Sequence, residues 1–297
     1  MPVKQRSLAF ILVLPALAFG HAGEPLAPHD LWSAWEFDPG VVLPVALSAI
    51  LYARGARRHT GLTLLQRTCF WTGWLSLVLA LISPIHPMGE ALFSAHMLQH
   101  EILMLISAPL LVLSRPLVTF LWALPIEWRK ALGRWSKTKP IARTWNAVTD
   151  PLTAWLIHAV AIWVWHVPYL FQLTLRSDLA HSGQHLSFFL SALLFWWAVF
   201  YGHGRRAYGA AFLYVFTTAI HTGALGALLT FAPHVWYPAY RTTTQAWGLT
   251  PLQDQQLGGL IMWVPASLVY LAAGLALFAA WLKESDLRLE RTQLDAR

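Results

Sequence analysis

The feature that most limits the fold of this chain is a series of seven apolar segments separated by charged loops. A helix needs about 20 apolar residues to cross the roughly 30 Å of hydrocarbon in a bilayer. Hydrophobic residues make up 57 % of the chain and charged residues only 12 %, which excludes a water-soluble globule and a disordered protein. Since backbone groups in lipid must bond internally, the sequence predicts an all-α polytopic membrane bundle of about seven transmembrane helices. The predicted helices are Pro39–Ala53, Thr68–Pro84, Ala91–Leu113, Pro151–Leu173, Gln184–Gly202, Ala210–Phe231 and Leu257–Leu282.

The distribution of Lys and Arg orients this bundle, because cytoplasmic loops carry an excess of both residues. With the N-terminus outside, 17 of them fall in the inner loops and tail, whereas Arg176 and Arg241 fall in outer loops. The formal net charge of +7 then faces the cytoplasm and its anionic lipids. The lipid bilayer accounts for the basic charge, and we expect no nucleic-acid partner.

The chain divides into four predicted parts. Residues 1–22 are predicted to be a signal peptide, because Lys4 and Arg6 precede the apolar run Leu8–Phe19. A retained N-terminal anchor is the alternative. Residues 23–38 form an outer N-terminal segment, 39–282 the seven-helix membrane domain and 283–297 a cytoplasmic tail. The long inner loop at 116–150 combines Trp and basic residues, which suits an interfacial amphipathic segment or a solvated linker.

Histidine is the main chemical signal in the sequence. With the predicted orientation, 11 of the 13 histidines lie in outer loops or in the outer to middle parts of the helices, and only His59 and His203 are cytoplasmic. His96 and His100 are four residues apart, so they project from one helix face and can chelate one metal ion. His181 and His185 repeat this spacing.

Other residues near these pairs bear on the choice of metal. The thioether of Met97 beside the imidazoles favours a soft ion such as Cu(I), whereas packing is the usual role of a methionine. Glu101 is an ionisable group within a predicted span and is therefore a functional candidate. Cys69 is the one cysteine, so metal chemistry would use His, Met and carboxylate.

Several blocks of the sequence resemble one known family. They are WEFDPG (35–40), LYARGARR (51–58), SPIHPMGE (83–90), HMLQHEILMLISAPLLVLSRP (96–116), WVWHVPYLF (163–171), AHSGQHLSFFLSALLFW (180–196) and DQQLGGLIMWVPAS (254–267). In this order they resemble the CtaG family of membrane proteins, which assist assembly of caa(3)-type cytochrome c oxidase. The HM-x-x-H block is the most specific of them, and the resemblance spans Trp35 to Leu282.

The resemblance implies a multi-pass protein of the bacterial plasma membrane that helps to supply copper to the oxidase, with oxidase subunits as partners. It implies no catalytic turnover, and the sequence has no GxSxG, P-loop or HExxH motif. Carried over residue by residue, the family's histidine pattern, together with the methionine of the HM-x-x-H block, predicts one set of metal ligands. These are His96, Met97, His100, His166, His181 and His185.

Three other functions remain open at this point. Outer-side histidines on facing helices can ligate haem from both sides. A metal or proton transporter would use buried groups such as Glu101 and His221, although the sequence lacks the inverted repeat of many transporters. A metal-free assembly scaffold would need none of the histidines.

Overall fold

The computed structural model describes residues 26–202 and 208–295. It is 83 % helical and contains no strand in these ranges, so the predicted all-α polytopic bundle is confirmed. The twelve α-helices of the described residues are α1 (Pro39–Ala56), α2 (Leu64–Ile82), α3 (Ile85–Ala91), α4 (Phe93–Ser114), α5 (Pro116–Ala123), α6 (Ile126–Trp135), α7 (Lys139–Val148), α8 (Pro151–Trp165), α9 (Pro168–Thr174), α10 (Asp178–Gly202), α11 (Tyr208–Thr230) and α12 (Pro251–Asp295). The predicted signal peptide, 1–22, and His203 lie outside the described residues.

Six of these helices are long and apolar enough to cross a membrane, and α7 with α8 makes a seventh candidate that is bent by 62°. The fourth predicted helix, Pro151–Leu173, is in fact interrupted after Trp165. Val167 has ψ 125°, outside the helical region, because the following Pro168 ring disfavours helical geometry there. The last helix continues through Leu282, the predicted end of the membrane domain.

Helix α4 lies at the centre of the bundle. It is 67 % buried in protein over its apolar stretch, against 17 % for α1 at the periphery. Residues Ile102–Ser107 form a π-helical stretch inside α4, and Ser107 there shares a 2.8 Å hydrogen bond with Ser76 of α2. Because α4 is surrounded by α2, α10 and α12, polar residues on it face protein rather than lipid.

Helices α11 and α12 approach each other at two glycines. A Cβ atom on Gly259 would lie 2.8 Å from the carbonyl oxygen of Gly226 and 2.6 Å from the amide nitrogen of Thr230. Small residues permit this close backbone contact, which stabilises helix pairs where no hydrophobic effect drives association. Of the two helices, α12 packs against α4.

The predicted inner loops meet at one end of the bundle. His59 stacks on Trp122 with ring centroids 5.6 Å apart, and the Arg115 guanidinium lies 4.4 Å from the centroid of the Tyr201 ring. The long loop at 116–150 is folded into α5, α6 and α7. Trp128 on α6 is 66 % exposed, as expected for the predicted interfacial amphipathic segment and equally for a solvated linker.

The outer loops close the opposite end. The Tyr240 hydroxyl donates a 2.8 Å hydrogen bond to the carbonyl oxygen of Gly89, and the Tyr237 hydroxyl donates one of 2.9 Å to that of His166. The outer N-terminal segment joins them, since Trp247 Nε1 donates to the Leu26 carbonyl. The histidine pairs lie below this cover.

Candidate metal centre

The first histidine pair occupies the outer half of α4. Leu92 is extended, and Asp254 of α12 accepts hydrogen bonds from the amides of Phe93 (2.7 Å) and Ser94 (3.1 Å). This carboxylate satisfies amides of the first turn that have no partner within the helix. The helix carrying His96 and His100 is therefore fixed at its start.

The rings of His96 and His100 are one helical turn apart, with centroids 4.4 Å apart and planes at 87°. Both residues are buried, at 0 % and 1 % exposure. Phe171 lies 5.0 Å from the His96 ring and Phe188 lies 4.6 Å from the His100 ring. The pair thus projects into protein, between aromatic walls that exclude water.

The second pair faces the first from α10. Ser177 caps α10 by accepting a hydrogen bond from the Ala180 amide, and the His181 and His185 rings that follow have centroids 4.3 Å apart. His181 lies 5.2 Å from His96, and His185 lies 5.3 Å from His100. The structure therefore brings four of the six predicted ligands together.

A fifth imidazole, His86, completes the cluster, although it is absent from the predicted ligand set. Its ring stacks on that of His181 at 5.0 Å and lies 5.6 Å from that of His185. Gln99 Nε2 donates a 2.8 Å hydrogen bond to His86 Nδ1, and the Glu36 carboxylate lies 3.4 Å from Nε2. Burial lowers the pKa of His86, against the opposing effect of Glu36, and so favours the neutral form that binds metal.

The cluster contains two groups of three histidines in which one ligand atom from each lies within 4.8 Å of the others. The outer group is His86, His181 and His185, and the inner group is His96, His100 and His185. Metal–nitrogen bonds of about 2.0–2.1 Å would put tetrahedral ligands roughly 3.4 Å apart. Ring movements of about 1 Å would close either group on an ion.

Unpaired ring nitrogens distinguish this cluster from a hydrogen-bonded core. Among the described residues, five buried nitrogens of the cluster have no hydrogen-bond partner; they are His96 Nδ1, His100 Nδ1 and Nε2, His181 Nε2 and His185 Nε2. A buried polar atom without a partner costs about 1–3 kcal/mol. Those of these nitrogens that carry a lone pair are available to a cation, so the arrangement could hold a metal ion.

Gln184 orients one of these ligands. Its Oε1 lies 3.1 Å from His96 Nε2; with Oε1 as the acceptor, Nε2 donates and the lone pair of His96 is on Nδ1. Such outer hydrogen bonds fix the tautomer of a metal-binding imidazole. Gln184 is absent from the predicted site residues, although its spacing of three residues from His181 on one helix was a usable signal.

The other two predicted ligands are His166 and Met97, and His166 lies close enough to His96 and His100 to interact with them electrostatically. His166 Nδ1 donates a 2.6 Å hydrogen bond to the Ile162 carbonyl, and its buried Nε2 has no partner among the described residues. It belongs to neither group of three. Met97 is buried against α12, where its Cγ would lie 3.3 Å from a Cβ atom on Gly258.

Three further polar sites lie outside the two groups of three histidines. His158 shares a 2.9 Å hydrogen bond with Ser191, and His221 Nδ1 accepts one of 3.3 Å from Trp163 Nε1. Glu101 is buried, and its Oε2 has no hydrogen-bond partner among the described residues. Glu101 follows His100 directly in α4 and lies within the membrane-spanning part of that helix.

Comparison with known proteins gives relatives without an assigned activity. An uncharacterised protein of Mycobacterium bovis is 27 % identical over 263 residues, which cover 85 % of this chain and 40 % of that protein. An uncharacterised protein of Mycobacterium leprae is 28 % identical over 271 residues with the same coverage. The chain thus spans less than half the length of these curated relatives. No solved structure matches it.

A family model does match, and it covers most of the chain. Residues 50–284 fit the model described as cytochrome c oxidase caa3 assembly factor. The matched range runs from α1 into α12 and contains all five histidines of the cluster. With most of its length and its whole histidine cluster inside the match, the chain belongs to the CtaG family of caa3 cytochrome c oxidase assembly factors.

Proposed function

We propose that this protein assists assembly of cytochrome c oxidase in the bacterial plasma membrane, by binding copper through its histidine cluster and passing it to an oxidase subunit. Family membership supports the assembly role and a non-catalytic activity. The observation that carries the copper part is the set of five buried ring nitrogens without hydrogen-bond partners. Copper is the cargo of this reaction and leaves with the oxidase.

The histidine donor set can bind copper, but it does not by itself select copper over other metals. Neutral imidazole binds copper, zinc and other transition metals, so three histidines alone do not select among them. The assembly of an oxidase, which the family resemblance links to copper supply, favours copper over zinc. Met97 packs against Gly258, so we infer that selectivity for Cu(I) would come from the low coordination number rather than from its thioether.

The location of the cluster also suits delivery to a partner. The cluster lies on the outer side of the bundle, below loops that include Tyr237 and Tyr240. An ion held there is protected from lipid and cytoplasm, and it has a short path to the outer surface. An oxidase subunit docking at that surface would receive it without the ion crossing the membrane.

The haem alternative fits the cluster less well. Axial histidines face each other across a porphyrin, whereas His96 and His181 are stacked with planes at 21° and centroids 5.2 Å apart. Phe171 and Phe188 occupy the flanks where a macrocycle would extend. The metal-free scaffold remains the second candidate, because the family role alone does not need the cluster.

The test is copper content of the full chain, purified in detergent and loaded anaerobically with Cu(I). We expect about one copper per chain in the wild type and much less in the His96→Ala, His100→Ala double variant, which loses two of the three ligands of the inner group. His29→Ala, which removes a side chain that is 76 % exposed, serves as the control and should bind like the wild type. Zinc loaded in parallel tests the choice of metal.

Oxidase activity in membranes completes the test. His96→Ala or His100→Ala should lower it without lowering the abundance of the protein. Normal oxidase activity in both variants would support the scaffold and contradict copper delivery. A coloured wild-type protein with a haem spectrum would favour the haem alternative.

A further inference from the structure

We propose that the two histidine groups are successive copper positions on one path, with His185 as the ligand common to both. The outer group admits and releases the ion, and the inner group stores it. This inference rests on the proposed function, since it concerns the route by which the same cargo reaches and leaves the cluster.

The shared ligand is the first observation that supports the path. His185 belongs to both groups, whereas His86 and His181 are specific to the outer group and His96 and His100 to the inner group. His185 Nε2 is buried and has no hydrogen-bond partner among the described residues. Since one lone pair binds one ion, only one group has all three imidazoles at a time. A Cu(I) ion would move by exchanging two ligands while it stays bound to His185, with no change of oxidation state.

The two groups differ in access to the outer surface. The His86 side chain is 17 % exposed, whereas His96 is fully buried and His100 is 1 % exposed. Beside His86 lies Glu36, which is 47 % exposed. An ion arriving from the outer side would therefore meet the outer group first.

Negative charge surrounds this entrance. The Glu36 carboxylate lies 3.4 Å from His86 Nε2. Glu90, one helical turn from His86 on α3, lies close enough to the carboxylates of Glu36 and Asp178 to interact with them electrostatically. Acidic side chains at the mouth of a site raise the local concentration of cations, which favours delivery of copper to His86 and His181.

The hydrogen bonds of the two groups give the path a direction. Both ring nitrogens of His86 already have partners, Gln99 on Nδ1 and Glu36 on Nε2. Binding an ion there displaces one of these interactions. The inner group has unpaired nitrogens on His96 and His100, so binding there fills empty positions at no such cost. The ion should therefore be held loosely in the outer group and tightly in the inner group.

The experiment measures how fast copper enters and leaves the full chain in detergent, with a coloured Cu(I) chelator as donor and then as acceptor. We expect His86→Ala to slow uptake and release about tenfold while the final copper content stays near one per chain, because only the outer position is lost. His100→Ala should keep fast uptake but weaken affinity by tenfold or more. His185→Ala should retain no copper.

His234→Ala is the matched control, since it removes an exposed histidine of the outer loops. It should exchange copper at wild-type rates. His86→Gln keeps a hydrogen-bond acceptor for Gln99 and should reproduce the slow exchange if His86→Ala does not fold. Wild-type rates in a folded His86 variant would overturn the two-position path while leaving copper binding intact. A wild type that retains no copper would instead overturn the proposed function itself.

Discussion

Gln184 Oε1 lies 3.1 Å from His96 Nε2, and this hydrogen bond joins α10 to α4 inside the histidine cluster. It decides which nitrogen of His96 is free, because the protonated Nε2 leaves the lone pair on Nδ1. His96 Nδ1 is also the atom that is buried without a partner. A glutamine outside the ligand set therefore controls the geometry of a ligand.

Replacing Gln184 tests this control. We expect Gln184→Leu to weaken Cu(I) affinity about 10- to 100-fold, the usual cost of losing a partner that orients a metal-binding imidazole. Competition with a Cu(I) chelator measures the affinity. Gln172→Leu is the control, because the Gln172 amide donates only to Pro168 of its own helix. Equal affinity in the two variants would contradict the role given to Gln184.

The Asp254 carboxylate should matter more for stability than an ordinary helix cap. Asp254→Ala leaves the amides of Phe93 and Ser94 and the Ser94 hydroxyl without their acceptor in a buried place. We expect a loss of about 2 kcal/mol or more, seen as a lower unfolding temperature in detergent. Asp150→Ala removes an exposed cap from α8 and should cost only about 1 kcal/mol. Equal losses of stability in the two variants would show that burial of the Asp254 carboxylate does not increase its contribution.

The glycine contact between α11 and α12 makes a second prediction about stability. Gly259→Ala would place a methyl group 2.6 Å from the Thr230 amide nitrogen, which forces the helices apart and should lower the unfolding temperature. Gly183→Ala meets no atom within 4 Å and gains up to about 1 kcal/mol of helix propensity. It should therefore leave the unfolding temperature unchanged or raise it. A tolerated Gly259→Ala would mean that the helices are not held at this distance.

The orientation in the membrane is open to direct chemical test. In a Cys69→Ala background, a cysteine replacing exposed Arg176 should react with a membrane-impermeant thiol reagent in intact cells. A cysteine replacing exposed Lys137 should react only after the cells are permeabilised. The reverse pattern would place the histidine cluster on the cytoplasmic side and remove its route to an outer partner.

Much of the fold follows from hydropathy, because lipid leaves a helical segment few alternatives. The start of α10 shows where hydropathy fails. The predicted helix begins at Gln184, whereas α10 begins at Asp178. Hydropathy starts this helix too late because its first turns contain polar residues such as His181, which are nevertheless buried against α4. Pro168 gives the opposite case, in which an apolar run hides a break between α8 and α9.

The metal centre was predictable only in part. The spacing of His96 and His100 identifies a chelating pair from local geometry alone. His86 needs tertiary information, because it lies on the separate short helix α3 and reaches His181 only after that helix folds back onto α4. Gly89 allows this fold-back, since a Cβ there would lie 3.2 Å from His96 Cα.

The unpaired nitrogens of His96, His100, His181 and His185 also bear on how long the protein survives in the cell. Without an ion they are desolvated donors and acceptors, so the empty chain is the less stable form. Binding stabilises the protein further as the free copper concentration rises, with a logarithmic dependence. Proteases remove the less stable form faster. Copper starvation would shorten the half-life of the protein, and its quantity in the membrane would follow the supply of its cargo.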